Sequence, residues 1–296
     1  MGREILNRLG GVGSAIGRRG WWRRTTGAFV LLCAANLQVQ AQTPYVHIDA
    51  ESPTYLEYEV SARPNGWYHA LRDIAIGPDR DMPADGDYVA AWISGTMSYT
   101  GGRSIGLRAY PSVGPNRDRI EIRAVHGDND GFRLANATTR YFGYAFMLHN
   151  QTQAPIGTSD AHIMQVWQRP SGSVQQGKVP FTLSLGNDYR LHAKARTHVG
   201  TWNIWHSEPV SKGEWHTLVY ELRPSYNGDS QSGTIAIWFD GVEVTRWVGD
   251  WGNPPSLGYT EYFDVRCGIY RSAQNTHTII MYDDVRFGLT RESVTP

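Results

Sequence analysis

The chain has 296 residues, 28 of them basic and 28 acidic, so its formal net charge at pH 7 is zero. With 41% hydrophobic residues it is long enough to bury one full core, and single all-β domains commonly reach this size. Proteins that bind nucleic acids usually show an excess or a stripe of basic residues, and the sequence has neither. We therefore expect one domain and no nucleic-acid partner.

The first forty residues have the composition of an export signal. Four arginines between positions 18 and 24 precede an apolar run at 27–35, and a small-x-small cleavage site ends at Ala41. The run is too short to anchor the chain in a bilayer. We expect residues 1–41 to be a signal peptide, exported by the twin-arginine or the general route. Residues 42–296, with 22 basic and 27 acidic residues, would then be a secreted or periplasmic domain with no membrane partner.

Segments with period-2 alternation recur along the rest of the chain, with Gly, Pro, Asn and Asp between them. None carries a long apolar stripe of helical period, and Asp240-Gly241 is typical of a tight hairpin turn. This spacing predicts an antiparallel sandwich or barrel. The predicted strands are 88–94, 104–110, 118–125, 141–149, 162–168, 181–185, 189–195, 215–222, 234–239, 262–271 and 278–287.

The segment 262–271 has two contrasting faces. Alternation places Tyr262, Asp264, Arg266 and Tyr270 on one face, while Cys267 lies on the apolar face, where it is predicted to be a small core residue. Two tyrosines and an arginine are unusual groups to bury in dry packing. We expect this polar face to line a wet groove that binds sugars, since the 11 Trp and 16 Tyr of the chain supply flat rings for such contacts.

Two further predicted strands carry polar groups in alternation. The first places Arg119, Glu121 and Arg123 on one face, with His126 just beyond its end. The second places Gln165 and Trp167 on one face. Charged residues in such a pattern also form cross-strand ion pairs on a solvated face, and this is the favoured interpretation for Glu121.

The order of these motifs resembles that of the jelly-roll polysaccharide lyases, most closely the glucuronan lyase and heparin lyase I type and more distantly the jelly-roll alginate lyases. The resemblance covers roughly residues 85–290. Besides the two strands above, it rests on three motifs, which are Gly213-Glu-Trp-His216, Gly268-Ile-Tyr-Arg271 and Asp283-Asp-Val-Arg-Phe-Gly288. It implies an all-β, concanavalin A-like jelly roll with a concave substrate groove.

The resemblance also implies a reaction, the β-elimination of a uronic-acid-containing, glucuronan-like polysaccharide. In this scheme Gln165 neutralises the uronate carboxylate with Arg123 as a helper, His126 takes the C5 proton, and Tyr270 protonates the departing O4. Tyr262 is the alternative tyrosine. The residues expected to bind substrate are Arg119, Arg123, Trp167, Tyr262 and Arg266.

Two positions depart from the alginate lyase pattern. Trp167 stands where those enzymes have the histidine of Gln-x-His, and Asp264 replaces the first tyrosine of their late Tyr-x-Lys-x-Gly-x-Tyr motif. The first departure moves the chain toward the glucuronan lyase type. The second leaves the choice between Tyr270 and Tyr262 open.

No cofactor is required for such a reaction, and we expect a monomer acting on an acidic polysaccharide. Asp283-Asp284 is compatible with a structural calcium site, although a solvated turn is the favoured interpretation. Two other functional classes share the sandwich. A non-catalytic sugar-binding module would need no His-Gln-Tyr set, and a glycoside hydrolase would need a carboxylate pair, for which the sequence has no Glu-x-Asp-x-x-Glu run.

Overall fold

The structure is a computed structural model that describes residues 46–48, 50–51, 58–62, 68–70, 89–112, 117–124, 133–156, 160–171, 178–226 and 232–296. For 58–62, 68–70, 117, 123 and 124 it describes the backbone alone. The predicted signal peptide and His126 lie outside the described residues, so both stay predictions.

The described residues form strands almost throughout. The strands are β1 (Val46–Ile48), β2 (Tyr58–Ala62), β3 (Tyr68–Ala70), β4 (Val89–Ser94), β5 (Ser104–Ala109), β6 (Arg117–Ala124), β7 (Arg133–Ala135), β8 (Arg140–Leu148), β9 (Ala161–Pro170), β10 (Lys178–Leu185), β11 (Leu191–Arg196), β12 (Thr201–His206), β13 (Trp215–Arg223), β14 (Thr234–Phe239), β15 (Val242–Val248), β16 (Tyr259–Ser272) and β17 (Thr278–Gly288). A four-residue helix, α1 (Arg291–Val294), follows the last strand. In the part of the chain that is described, no helix is long and apolar enough to cross a membrane.

The strands pair antiparallel in two sheets. Sheet A has the order β15-β14-β13-β8-β17-β5-β4, with β1 also paired to β17. Sheet B has the order β12-β11-β10-β9-β16-β6-β2-β3, with β7 also paired to β16. Chain neighbours such as β16 and β17 lie in different sheets, as expected of a jelly roll. The predicted all-β sandwich is therefore confirmed.

The core lies between the sheets because each strand turns its apolar positions inward. Strand β11 shows the pattern clearly, since Leu191, Ala193 and Ala195 are fully buried and the residues between them are not. Burying a side chain of leucine size contributes about 1.5–3 kcal/mol. Cys267 is fully buried in this core, as predicted, and its burial holds the pKa of the thiol well above the ordinary value.

The predicted strands and turn agree with the structure. Each predicted segment overlaps an observed strand, and the Asp240-Gly241 turn has both residues at positive φ, 49° and 79°, as a two-residue hairpin loop requires. Strands β1, β2, β3 and β7 were not predicted, and neither was β12. Strand β12 is an edge strand on which most side chains are at least partly exposed, so its sequence lacks a clear apolar alternation.

The interpretation of Asp283-Asp284 as a solvated turn is wrong. Both residues lie inside β17, where they are 2% and 4% exposed. Asp283 Oδ2 accepts hydrogen bonds from the backbone N–H groups of Tyr99 (2.9 Å) and Thr100 (3.1 Å), so it fixes the turn after β4. Its burial raises the pKa of the carboxyl to about 6.

Asp284 has φ 55° at a bulge in β17, and its carboxylate pairs with Arg286 at 2.8 Å. Among the described residues no group of three His, Cys, Asp or Glu side chains is placed to hold a metal ion. Calcium therefore stays an untested prediction.

Candidate active site

The outer face of sheet B carries two rows of side chains that run across the strands. Paired residues on neighbouring strands project to the same face, so a chain of pairs forms a continuous row. The Gln165 row consists of Arg266, Gln165, Thr182, Lys194 and Asn203. The Tyr270 row consists of Arg119, Tyr270, His162, Ser184, His192 and His206.

Glu121 on β6 joins the ends of these rows. Its carboxylate accepts a hydrogen bond from Gln165 Nε2 and another from Arg119 Nε at 2.5 Å. Arg266 Nη1 lies 3.5 Å from the same carboxylate. The ion pairs predicted for Glu121 are thus present, but the predicted solvated face is wrong because the carboxylate is buried. This carboxylate also fixes the orientation of the Gln165 amide.

The floor of the site is drier than the sequence suggested. Glu121 and Gln165 are each 2% exposed and Arg266 is 4% exposed, whereas a wet groove was expected at this face. Their burial is offset by the pairing of the Glu121 and Arg266 charges and by the hydrogen bond from Gln165 Nε2 to Glu121. Arg119, Trp167, Tyr270 and His162 are half-buried, and they form the accessible layer of the site.

Two buried polar atoms of the floor have no hydrogen-bond partner in the part of the chain that the structure describes. They are Gln165 Oε1 and Arg266 Nε. A buried polar atom left unpaired costs about 1–3 kcal/mol, so such atoms are rare and mark places where a ligand is expected. One is an acceptor and the other a donor, which suits a carboxylate flanked by a hydroxyl.

The charges around the floor favour an anion. Arg266 Nη2 lies 3.4 Å from Asp264, and Arg169 Nε lies 3.0 Å from the same carboxylate. With the pair of Arg119 and Glu121, this connected network holds three guanidinium groups and two carboxylates. It therefore carries one positive charge in excess.

The accessible layer is held by ring contacts. The Arg266 guanidinium lies 4.8 Å from the centre of the Trp167 ring, and the Arg119 guanidinium lies 5.7 Å from that of Tyr270. Contacts of this kind contribute about 0.5–1 kcal/mol each at exposed sites. Each contact holds an arginine side chain and an aromatic ring in a fixed position relative to each other.

His162 is a site residue that the sequence did not reveal. Its ring lies 5.8 Å from that of Tyr270, and its Nδ1 is 2.7 Å from Ser184 Oγ. In a regular strand, position 162 would lie on the core face, because it is an odd number of residues from Gln165. A bulge reverses this, because Met164 faces Leu183 while His162 faces the next residue, Ser184. Such a shift is a property of the pairing of two strands, and the sequence of β9 carries no local signal for it.

The structure brings most of the predicted site residues together. Gln165, Tyr270, Arg119, Trp167 and Arg266 share one face and contact one another directly or through Glu121.

Tyr262 lies away from the other predicted site residues, and only the backbone of Arg123 is described. Tyr262 lies eight residues from Tyr270 on β16, roughly 25 Å along an extended strand. It is 49% exposed and contacts Arg133. The backbone of Arg123 pairs with Glu59 on β2, and its side chain is outside the described set. The catalytic and binding roles of all these residues stay predictions.

A cavity of about 760 Å³ lies at the far end of both rows, on β11 and β12. Its polar lining includes Lys194 and Asn203 from the Gln165 row and His192 and His206 from the Tyr270 row. Lys194 Nζ donates to Asp160 at 2.8 Å. The cavity therefore offers hydrogen-bond donors and acceptors to an extended ligand that lies along the two rows.

Comparisons with known proteins agree with this architecture. Residues 91–286 match the family model for polysaccharide lyases. Among solved structures, the endo-β-1,4-glucuronan lyase from the fungus Trichoderma reesei is similar at 19% identity and a TM-score of 0.57, over 81% of this chain and 97% of that one. An alginate lyase of polysaccharide lyase family 7 is similar at 10% identity and a TM-score of 0.48, over 78% of this chain and 94% of that one. A search of curated protein sequences gives no match.

Proposed function

We propose that this chain, which belongs to the polysaccharide lyase family, cleaves a uronic-acid-containing polysaccharide by β-elimination and leaves a 4,5-unsaturated uronate at the new end. The observation that carries the proposal is the buried floor of Gln165, Glu121 and Arg266, with its unpaired donor and acceptor beside Tyr270. A glucuronan-like substrate is supported by the fold shared with a glucuronan lyase.

The floor suits the first requirement of the reaction. The C5 proton of a uronate becomes acidic only when the neighbouring carboxylate is neutralised, because that group takes up the developing charge. Arg266 offers its unpaired Nε–H, and the Gln165 amide has a second N–H beyond the one held by Glu121. Both groups are fixed before substrate arrives, and such preorganised donors are worth ~10²–10³-fold in rate each.

The accessible layer suits the proton transfers. A base removes the C5 proton, the electron pair forms the C4–C5 double bond, the C4–O4 bond breaks, and O4 takes up a proton. We assign the last step to the Tyr270 phenol. The contact between Tyr270 and His162 supports His162 as the base, which must be neutral to act. His126 stays the candidate predicted from the sequence.

The decisive experiment follows ultraviolet absorbance after mixing the 42–296 domain with a panel of uronans and one neutral glucan. A C4–C5 double bond conjugated to the carboxylate absorbs, so elimination gives a rising signal with the uronan that is the substrate. New reducing ends without absorbance would indicate hydrolysis instead. Binding with neither signal would point to a sugar-binding module.

We also propose that the domain is exported, on the basis of the arginine-rich, apolar leader at 1–41. N-terminal sequencing of the exported protein from a bacterial host should find Gln42 as the first residue. A protein that keeps its leader and stays inside the cell would contradict export.

A further inference from the structure

Tyr282 reaches from one sheet to the other through the core. It belongs to β17 in sheet A, where it pairs with Phe146 and Ile105, and it is fully buried. Its hydroxyl lies 2.9 Å from the carbonyl oxygen of Ile163 and 3.1 Å from that of Gly268. Both carbonyls belong to sheet B, one on β9 and the other on β16.

These two carbonyls sit where the pairing of sheet B is irregular. Ile163 is the extra residue of β9 between the pairs formed by Met164 and His162 with β10. On the other side of β9, Gly268 and Ile269 together face that single residue. A bulge leaves backbone groups of its extra residue outside the ladder, and a buried carbonyl needs a partner. The Tyr282 hydroxyl is the donor that both carbonyls share.

The same irregularity decides which side chains enter the site. On one side of it lie Gln165 and Arg266, paired with each other, and on the other side lie His162 and Tyr270, also paired. Without the bulge, position 162 would turn toward the core, because a shift of one residue moves a side chain to the opposite face. The meeting of His162 with Tyr270 therefore depends on the bulge.

We propose that Tyr282 is a positioning residue for the β-elimination proposed above, on which this inference rests. Its hydroxyl binds the two carbonyls of the bulge from the core side of sheet B. The bulge in turn places His162 and Tyr270 on the same face as Gln165. Tyr282 touches no substrate, since it lies between the sheets. It acts only through the two site residues.

The core offers a matched control. Tyr220 is also a fully buried tyrosine, and its hydroxyl lies 2.9 Å from that of Tyr144. The change Tyr220→Phe removes a buried hydroxyl and its bond to the Tyr144 hydroxyl, and Tyr282→Phe likewise removes a buried hydroxyl, which two carbonyls share. The Tyr220 hydroxyl, however, bonds to no carbonyl of the bulge. Both variants should therefore lower the melting temperature, and only Tyr282→Phe should change catalysis.

The first measurement is steady-state kinetics on the cleaved uronan. Tyr282→Phe should lose about 10²-fold in kcat, as expected when reacting groups shift by about 1 Å, with KM little changed. Tyr220→Phe should keep the wild-type kcat. Replacement of Tyr282 by 4-aminophenylalanine, which retains a donor in the same place, should restore most of the lost rate. A folded Tyr282→Phe enzyme with wild-type kcat would overturn the proposal, and so would a folded 4-aminophenylalanine enzyme that stays slow.

The second measurement tests the route of the effect. If Tyr282 acts through His162 and Tyr270, Tyr282→Phe should lower kcat by a smaller factor in the His162→Asn background than in the wild type, because the part of its effect that passes through His162 is already lost. Losses that multiply would overturn the proposal.

The third measurement needs no activity. The His162 ring resonances, assigned by their loss in His162→Asn, should shift in Tyr282→Phe and stay in place in Tyr220→Phe. Should the wild type cleave no uronan, the proposed function fails, and these resonances still decide whether Tyr282 controls the position of His162.

Discussion

At the scale of single residues, Glu121 determines what its neighbours can do. By accepting from Gln165 Nε2 it turns the amide so that Oε1 faces away, and it pairs with two cations, Arg119 in the accessible layer and Arg266 in the floor beneath it. The carboxylate thus has no need to touch substrate. It holds the Gln165 amide and the two guanidinium groups in fixed positions.

Gln165→Ala should lower kcat by ~10²–10³-fold, because it removes a preorganised donor from the site of developing charge. Gln168→Ala is the control. That buried glutamine of the same strand bonds to Asn253 and to the carbonyl of Thr260, so its loss should lower stability and leave kcat unchanged. Equal losses of kcat in both variants would mean that Gln165 has only a structural role.

The two candidate tyrosines have different surroundings, Tyr270 beside His162 and Tyr262 against Arg133. Tyr270→Phe should lose nearly all turnover, because the phenol beside His162 is the proposed proton donor to O4. Tyr262→Phe should keep most of it, since that ring is half-exposed and lies on Arg133 near the other end of β16. Comparison of initial rates of unsaturated product decides this, and the reverse order would move the chemistry to the Tyr262 end.

At the scale of strands, the alternation of the sequence predicted strand positions and faces. It did not predict features that depend on contacts between distant segments. Strand positions and faces could be predicted, because period-2 patterns are local, and five of the proposed site residues were found in this way. His162 was missed because a bulge exchanges its face. The burial of Asp283 was missed because its partners are amides of the turn after β4, far away in the chain.

Gly268 gives a test at this scale. Its φ is 146°, and a Cβ at this position would meet the backbone of Ile120 and Glu121 on β6. Gly268→Ala should therefore combine backbone strain of about 1–3 kcal/mol with a steric clash, and lose activity as well as stability. Gly241→Ala, at φ 79° with open space around it, should show the strain alone. Urea unfolding of the two variants measures the difference, and equal losses would contradict the close packing of β16 on β6.

At the scale of the whole molecule, charge is distributed unevenly. The domain at 42–296 has 22 basic and 27 acidic residues, yet the network around Glu121 carries a positive excess. An acidic polymer is therefore attracted to this network although the domain as a whole is acidic. The two rows run from this network to the cavity on β11 and β12. Lys194 lies two strand spacings, or about 10 Å, from Gln165.

Lys194→Met should raise KM for long uronans with little change in kcat, because the residue lies in the cavity and away from the reacting atoms. Short oligomers that end before the cavity should be cleaved as by the wild type. Lys212→Met is the control, since that ammonium contacts Tyr189 and the carbonyl of Thr152 instead. A KM that rises equally for short and long substrates would show that Lys194 acts on the domain as a whole.

Because β12 lies at the edge of sheet B, the strands at the cavity are less constrained by pairing than the strands at the candidate active site. The strands that carry the proposed site residues, β6, β16 and β9, are each paired on both sides, whereas the hairpin of β11 and β12 joins the sheet through β10 alone. Across the sandwich, Thr245 bonds to the carbonyl of Ile204 on that hairpin. Substrate range can thus diverge, in evolution or by design, through exchange of one short hairpin that keeps this contact, without rebuilding the catalytic centre.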